Sequence, residues 1–102
     1  MQSIHKKDAM IFKALCDEKR LCILEMLRNG EHCACSLIDS LQIKQSALSY
    51  HMKILCESGI VSARQDGKWT YYKINSSGSS NAIQRLRMIT TAHSNKVASK
   101  CE

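Results

Sequence analysis

Apolar residues recur at helical spacing from the start of the chain. Ile4, Ile11, Phe12 and Leu15, with Asp8 between them, fall at i, i+7, i+8 and i+11 and predict a first helix over residues 4–15. Asp17 is a ready cap for a second. There Leu21, Cys22, Ile23, Leu24, Met26 and Leu27 cover most of the circumference until Asn29-Gly30, which predicts a buried central helix. A short third helix is expected over 35–42 and, after a brief turn at Ile43-Lys44, a fourth over 45–58 closed by Gly59. The fourth divides cleanly: Ala47, Leu48, Met52, Ile54 and Leu55, with His51, share the inward face, while Gln45, Ser46, Ser49, Tyr50 and Lys53 share the outward one.

The period then changes from helical to alternating. Residues 61–65 and 68–74 flank Asp66-Gly67, a dipeptide that favours a type I′ hairpin turn; pairing outward from it sets Arg64 opposite Trp69 and Ala63 opposite Thr70. Val61, Ala63, Thr70, Tyr72 and Ile74 then face the helices. The polar stretch 75–81 is expected to be a connection, followed by a fifth helix over 80–94 with Ala82, Ile83, Leu86, Ile89 and His93 in its stripe. The fold class expected is mainly α with a small β-hairpin. It is a winged helix-turn-helix of five helices and a two-stranded wing, in which 35–58 form the helix-turn-helix, 61–74 the wing and 96–102 a mobile tail.

Length and charge sharpen this. A chain of 102 residues supports one modest core and therefore one domain. It holds 15 Lys and Arg against 9 Asp and Glu, yet residues 1–40 balance to zero, so the whole excess of +6 lies beyond residue 40. The outer face of the fourth helix has no acidic residue before Glu57. Cations without a strongly apolar face beside them favour nucleic acid over a membrane. The expected partner is double-stranded DNA, with Gln45, Ser46, Ser49, Tyr50, His51 and Lys53 presented to the major groove and Arg64 and Lys68 to the flanking backbone. The first residues lack the apolar run of an export signal, so a cytoplasmic location is expected and the six cysteines read first as thiols rather than a disulfide framework.

Several segments together resemble the ArsR/SmtB family of metal-responsive repressors: residues 12–24, Glu31-His-Cys-Ala-Cys-Ser-Leu37, the run 45–55, Gly59-Ile-Val61 and Asp66-Gly-Lys-Trp-Thr-Tyr-Tyr72. The resemblance covers residues 9–75 in order. It departs at Glu18, where the family often has proline. It implies a homodimer built from residues 1–16 and 79–95, bound to a partly palindromic operator and released by an inducer.

Cys33-Ala-Cys35 stands where arsenic-sensing members carry a Cys-x-Cys pair, which implies As(III) or Sb(III) as inducer, with Cd(II) and Pb(II) as further soft candidates. Thiolates select such ions, and a helix start favours the deprotonated sulfur. Positions i and i+2 of a regular helix point about 200° apart, so both sulfurs reach one ion only if the first turn unwinds or the pair lies ahead of it. Ile38 occupies the place of a third family cysteine. Cys101 is the favoured substitute, with Cys16, Cys56 and His32 as other candidates, while Cys22 is expected in the core. His93 lacks the companions of a fifth-helix zinc site. A thiol redox or persulfide sensor of the same fold is the alternative. Catalysis is not expected: Cys33 and His32 are adjacent, which rarely presents a nucleophile to its base, and neither an orienting Asp or Asn motif nor a phosphate loop is evident.

Overall fold

The computed structural model describes residues 3–93. Its elements are α1 (Ile4–Ala14), α2 (Glu18–Leu27), β1 (His32–Cys33), α3 (Ala34–Leu41), α4 (Gln45–Glu57), β2 (Val61–Asp66), β3 (Trp69–Ile74) and α5 (Ser76–Thr90). Side chains cap most helix starts: Ser3 accepts from the Lys6 amide, Asp17 from that of Arg20 and Asn75 from that of Gly78. Gln42 ends α3 in the left-handed region at φ 54°, which makes the sharp corner of the helix-turn-helix. The core gathers Ile11, Ala14, Ile23, Leu27, Leu37, Leu48, Met52, Leu55 and Val61, so α4 packs on α1 and α2, and α3 on α4 and the sheet, with the wing at one edge. No described helix is long and apolar enough to cross a membrane.

The five helices and the hairpin are where the sequence puts them, with four corrections. First, a third strand joins the sheet: β1 pairs antiparallel with β3, giving the order β1-β3-β2. Two residues are too few to show an alternating pattern. Second, the hairpin register is Asp66 opposite Trp69 and Arg64 opposite Tyr71, not Arg64 opposite Trp69. Gly67 takes φ 62° at the first central position and Lys68 does not share a positive φ, so the turn centres on Gly67-Lys68 as in type II′. The partner of each residue moves by two positions, an even number, which is why the faces survive.

Third, α5 begins at Ser76 rather than at residue 80, because Asn75 caps it and the serines fill its first turn. Only Ala82 of its apolar stripe is buried; Ile83, Leu86 and Ile89 are exposed, as are Met88 beside them and Ile4 on α1. Fourth, α2 is not enclosed on all sides. Arg20, Ile23 and Leu27 face the core, whereas Leu21 and Cys22 are exposed, so Cys22 is no core residue. Among the described residues α2 packs chiefly on α4 and β3, and Leu21 and Cys22 stay exposed.

Asp8, the polar member of the α1 stripe, is buried and pairs with Arg85 of α5 through two bonds of 2.9 and 3.0 Å. The Arg85 hydrogen bond holds its carboxyl below the ordinary 3.8, so the pair stabilises the fold above that pH and its contribution is lost as pH falls through the lower folded value. Asp8→Asn is therefore expected to flatten the acid limb of a thermal-melting profile taken from about pH 5 down to about pH 2. A limb of unchanged steepness would contradict this.

Candidate nucleic-acid interface and thiol pair

The turn at Gln42 aims α4 outward. Leu48, Met52, Ile54 and Leu55 anchor its inner face in the core, which leaves Gln45, Ser46, Ser49, Tyr50 and Lys53 exposed along the other, as the sequence predicts. Lys44 precedes the helix and makes no side-chain cap, so the first amides of α4 keep their donors for an outside acceptor. Short hydroxyl, amide and cationic groups on one rigid face, with no carboxylate among them, suit phosphate oxygens and base edges.

His51 departs from this face. It is half-buried, and its Nδ1 lies 3.1 Å from Nη1 of Arg20. A guanidinium only donates, so Nδ1 accepts and the ring proton sits on Nε2. Arg20 also donates to the carbonyls of Lys13 at 3.0 Å and Ala14 at 3.1 Å, tying the end of α1 to the middle of α4. Sequence reasoning passed over Arg20. The signal was present, since Arg20, Ile23 and Leu27 share one helical face and an arginine in a buried stripe needs partners.

On the wing, Lys68 is exposed with its amine 5.3 Å from the centre of the Trp69 ring. Arg64 is held instead: Glu31 accepts from its Nε and Nη2, each at 2.8 Å, and its guanidinium stacks 4.5 Å over the Tyr71 ring. Between α4 and the wing lies an open cavity of about 260 Å³ lined by Ser49, Met52, Lys53, Cys56, Ala63 and Tyr72. Burial there pushes the Cys56 thiol up.

Cys33 and Cys35 meet at the start of α3. Cys33 is its N-cap in extended backbone, so the pair straddles the helix boundary, and its Sγ accepts from the Cys35 amide at 3.4 Å. The neighbouring Cys35 thiol, followed by the Cys35 and Ser36 amides, lowers the Cys33 thiol below its ordinary value. The same contact raises Cys35. Among the described residues no further His, Cys, Asp or Glu joins the pair to make a group of three. His32 turns its Nδ1 to the Ser36 hydroxyl at 3.3 Å, Cys16 is exposed, and Cys101 lies outside the described residues. His93 is exposed beyond the end of α5.

Residues 17–63 match the family described as "Bacterial regulatory protein, arsR family". An arsenical resistance operon repressor of Staphylococcus aureus is 39% identical over 89 residues, 87% of this chain and 86% of that protein. The chain belongs to the arsR family. An arsenical resistance operon repressor of Bacillus subtilis is 43% identical over 65 residues, 63% of this chain and 62% of that one. The structure of HlyU from Vibrio cholerae superposes with a TM-score of 0.67 at 31% identity, covering 88% of this chain and 98% of that chain. As a member of the arsR family it is a DNA-binding transcriptional regulator and not an enzyme.

Proposed function

We propose that this arsR-family protein is a homodimeric repressor whose hold on operator DNA is released when As(III) or Sb(III), or a soft ion such as Cd(II) or Pb(II), is taken by Cys33 and Cys35. The operator is read by Gln45, Ser46, Ser49, Tyr50 and Lys53, with Lys68 and Arg64 on the flanking backbone and His51 positioning α4 from behind. The setting is the cytoplasm, where an operator lies. The exposed apolar side chains of α1 and α5 support the dimer, and two-fold symmetry would match a partly palindromic site. Named relatives that repress arsenical resistance operons support the inducer class.

The observation that carries the release mechanism is the thiol pair at the N-cap of α3, where the Cys33 sulfur accepts from the Cys35 amide. When each thiol replaces a hydroxide of arsenite, its proton leaves in a water molecule and no oxidant is needed. Two bonds to one centre would end the Cys33 cap on the Cys35 amide and draw on the first turn of α3. That helix is pinned in the core by fully buried Leu37, so a shift in α3 is felt by α4. Cys101 is proposed as a third donor. Inducer and DNA then oppose each other, with a coupling on the order of 5–150-fold in affinity.

Titrating arsenite into a complex with fluorescent operator duplex, obtained by selection from random sequences, tests this. Wild type is expected to lose affinity by at least about fivefold, and the Cys33→Ser/Cys35→Ser double variant by less than about twofold. Full release of the double variant would sink the assignment. Release by peroxide or persulfide but not by arsenite would favour a redox sensor of the same fold.

A further inference from the structure

Cys33 belongs to two elements at once. Its sulfur caps α3, while its backbone pairs with Tyr71 of β3, next to the His32–Tyr72 pair. Two residues earlier, Glu31 accepts both arms of the Arg64 fork, and the Arg64 guanidinium lies over Tyr71, the strand partner of Cys33. Besides Asp66, whose Oδ2 is 3.8 Å from Nη1, the described partners of this guanidinium are thus the residue just before β1, the strand that carries Cys33, and the β3 residue paired with Cys33.

An exposed ion pair contributes little to stability by itself. This one specifies direction. The bidentate fork and the aromatic face fix the plane of the guanidinium, and Nη1, the arm that Glu31 does not take, stays at the half-exposed edge of the wing. Strand β1 is only two residues long, so two ladder pairs and the Glu31–Arg64 bridge are what seat it on the wing. A ligand drawn across Cys33 and Cys35 pulls on one end of that short strand.

We propose that Glu31 is a positioning residue that couples the thiol pair to the wing: it orients Arg64 toward the operator backbone, and displacement of β1 by an inducer withdraws that orientation. The proposal rests on Cys33 and Cys35 being the inducer site. Binding at the pair would then reach DNA by two routes, through α3 to the recognition helix and through β1 to the wing.

Full-length wild type, Glu31→Gln and Asp66→Asn are compared with arsenite and operator duplex. Near-ultraviolet thiolate–arsenic absorbance reads occupancy in the free protein, and anisotropy reads operator affinity with and without arsenite. Glu31→Gln is expected to bind arsenite as wild type does and to hold the operator about threefold more weakly. Its arsenite-induced loss of affinity shrinks to about a third of the wild-type factor. Asp66→Asn also removes a carboxylate beside Arg64, but one on the wing itself, and keeps the wild-type factor. If Glu31→Gln fails to fold, Arg64→Lys, which retains charge but loses the fork, is expected to show the same reduced factor.

A wild-type factor in Glu31→Gln, or an equal reduction in Asp66→Asn, overturns the proposal while leaving the thiol site intact. Failure of arsenite to bind or release wild type removes the thiol reading and this proposal together.

Discussion

Replacing Gly78 with alanine unseats α5. A Cβ built there would overlap the carbonyl oxygen of Gly59 and stand 2.5 Å from its carbon, with the Ile60 nitrogen at 3.3 Å. These are backbone atoms and no rotamer change moves them aside. The junction is also tied down: the Asn75 amide donates to the Ile60 carbonyl at 2.7 Å, and the Ile60 amide donates to the buried Ser58 hydroxyl at 3.1 Å. To admit a methyl group the start of α5 has to move by more than about 1 Å, which strains those bonds and loosens Ala82 and the Asp8–Arg85 pair further along.

Helix propensity acts the other way, since alanine is favoured over glycine by about 1 kcal/mol in a helix interior. The clash wins because overpacking against a fixed backbone reaches about 3 kcal/mol or more. A net loss of about 2 kcal/mol lowers the melting temperature by roughly 10 °C at fixed protein concentration. Ser79→Ala, one residue on in the same helix, serves as the control with little change expected. A melting temperature for Gly78→Ala at or above that of wild type would show that propensity alone governs this turn.

What was legible in the sequence was whatever repeats. The α4 faces follow from a 3.6-residue period sustained over 13 residues, and the wing from alternation on both sides of a glycine turn. Its faces were legible even where the turn type was not, because Asp66-Gly67 fits two registers that differ by an even step. Features set by single contacts were not legible. Gly78 sits in a serine-rich stretch that reads as linker until the Gly59 carbonyl is seen beside it. Strand β1 is defined by its partner, not by its own pattern.

The same division runs through the candidate site. The outer face of α4 is local and is exposed as expected, and the Cys33/Cys35 pair, also local, falls at the start of α3. Burial of individual side chains is not local: Cys22 lies on an apolar helix yet faces out, because it is Arg20, Ile23 and Leu27 that α2 turns to the core. The holding of Arg64 by Glu31 spans 33 residues and depends on the β1–β3 pairing, so no window of sequence contains it.

Arg20→Met is expected to weaken both the fold and the grip on DNA. The methionine roughly fills the stem of the arginine but offers no donor, so the Lys13 and Ala14 carbonyls and His51 Nδ1 lose their shared partner at a position only 5% exposed. Each buried acceptor left alone costs about 1–3 kcal/mol, less where water follows, and part of the loss is offset by no longer burying a cation. A net destabilisation of about 2–4 kcal/mol results.

The functional effect follows from where the third bond lands. Arg20 reaches α4 in the middle of its inner face, so its loss frees the helix to shift against α1 while Leu48, Met52 and Leu55 still hold it in the core. Operator affinity is expected to fall by about tenfold or more in the folded protein, with arsenite binding unchanged. Arg20→Lys reaches only some of the acceptors and lies between the two. A double-mutant cycle with His51→Leu separates the bond from the general loss of a buried arginine: a coupling of about 1–2 kcal/mol is expected between the two sites. Additive single effects in that cycle would mean that the contact with His51 does not position the recognition helix.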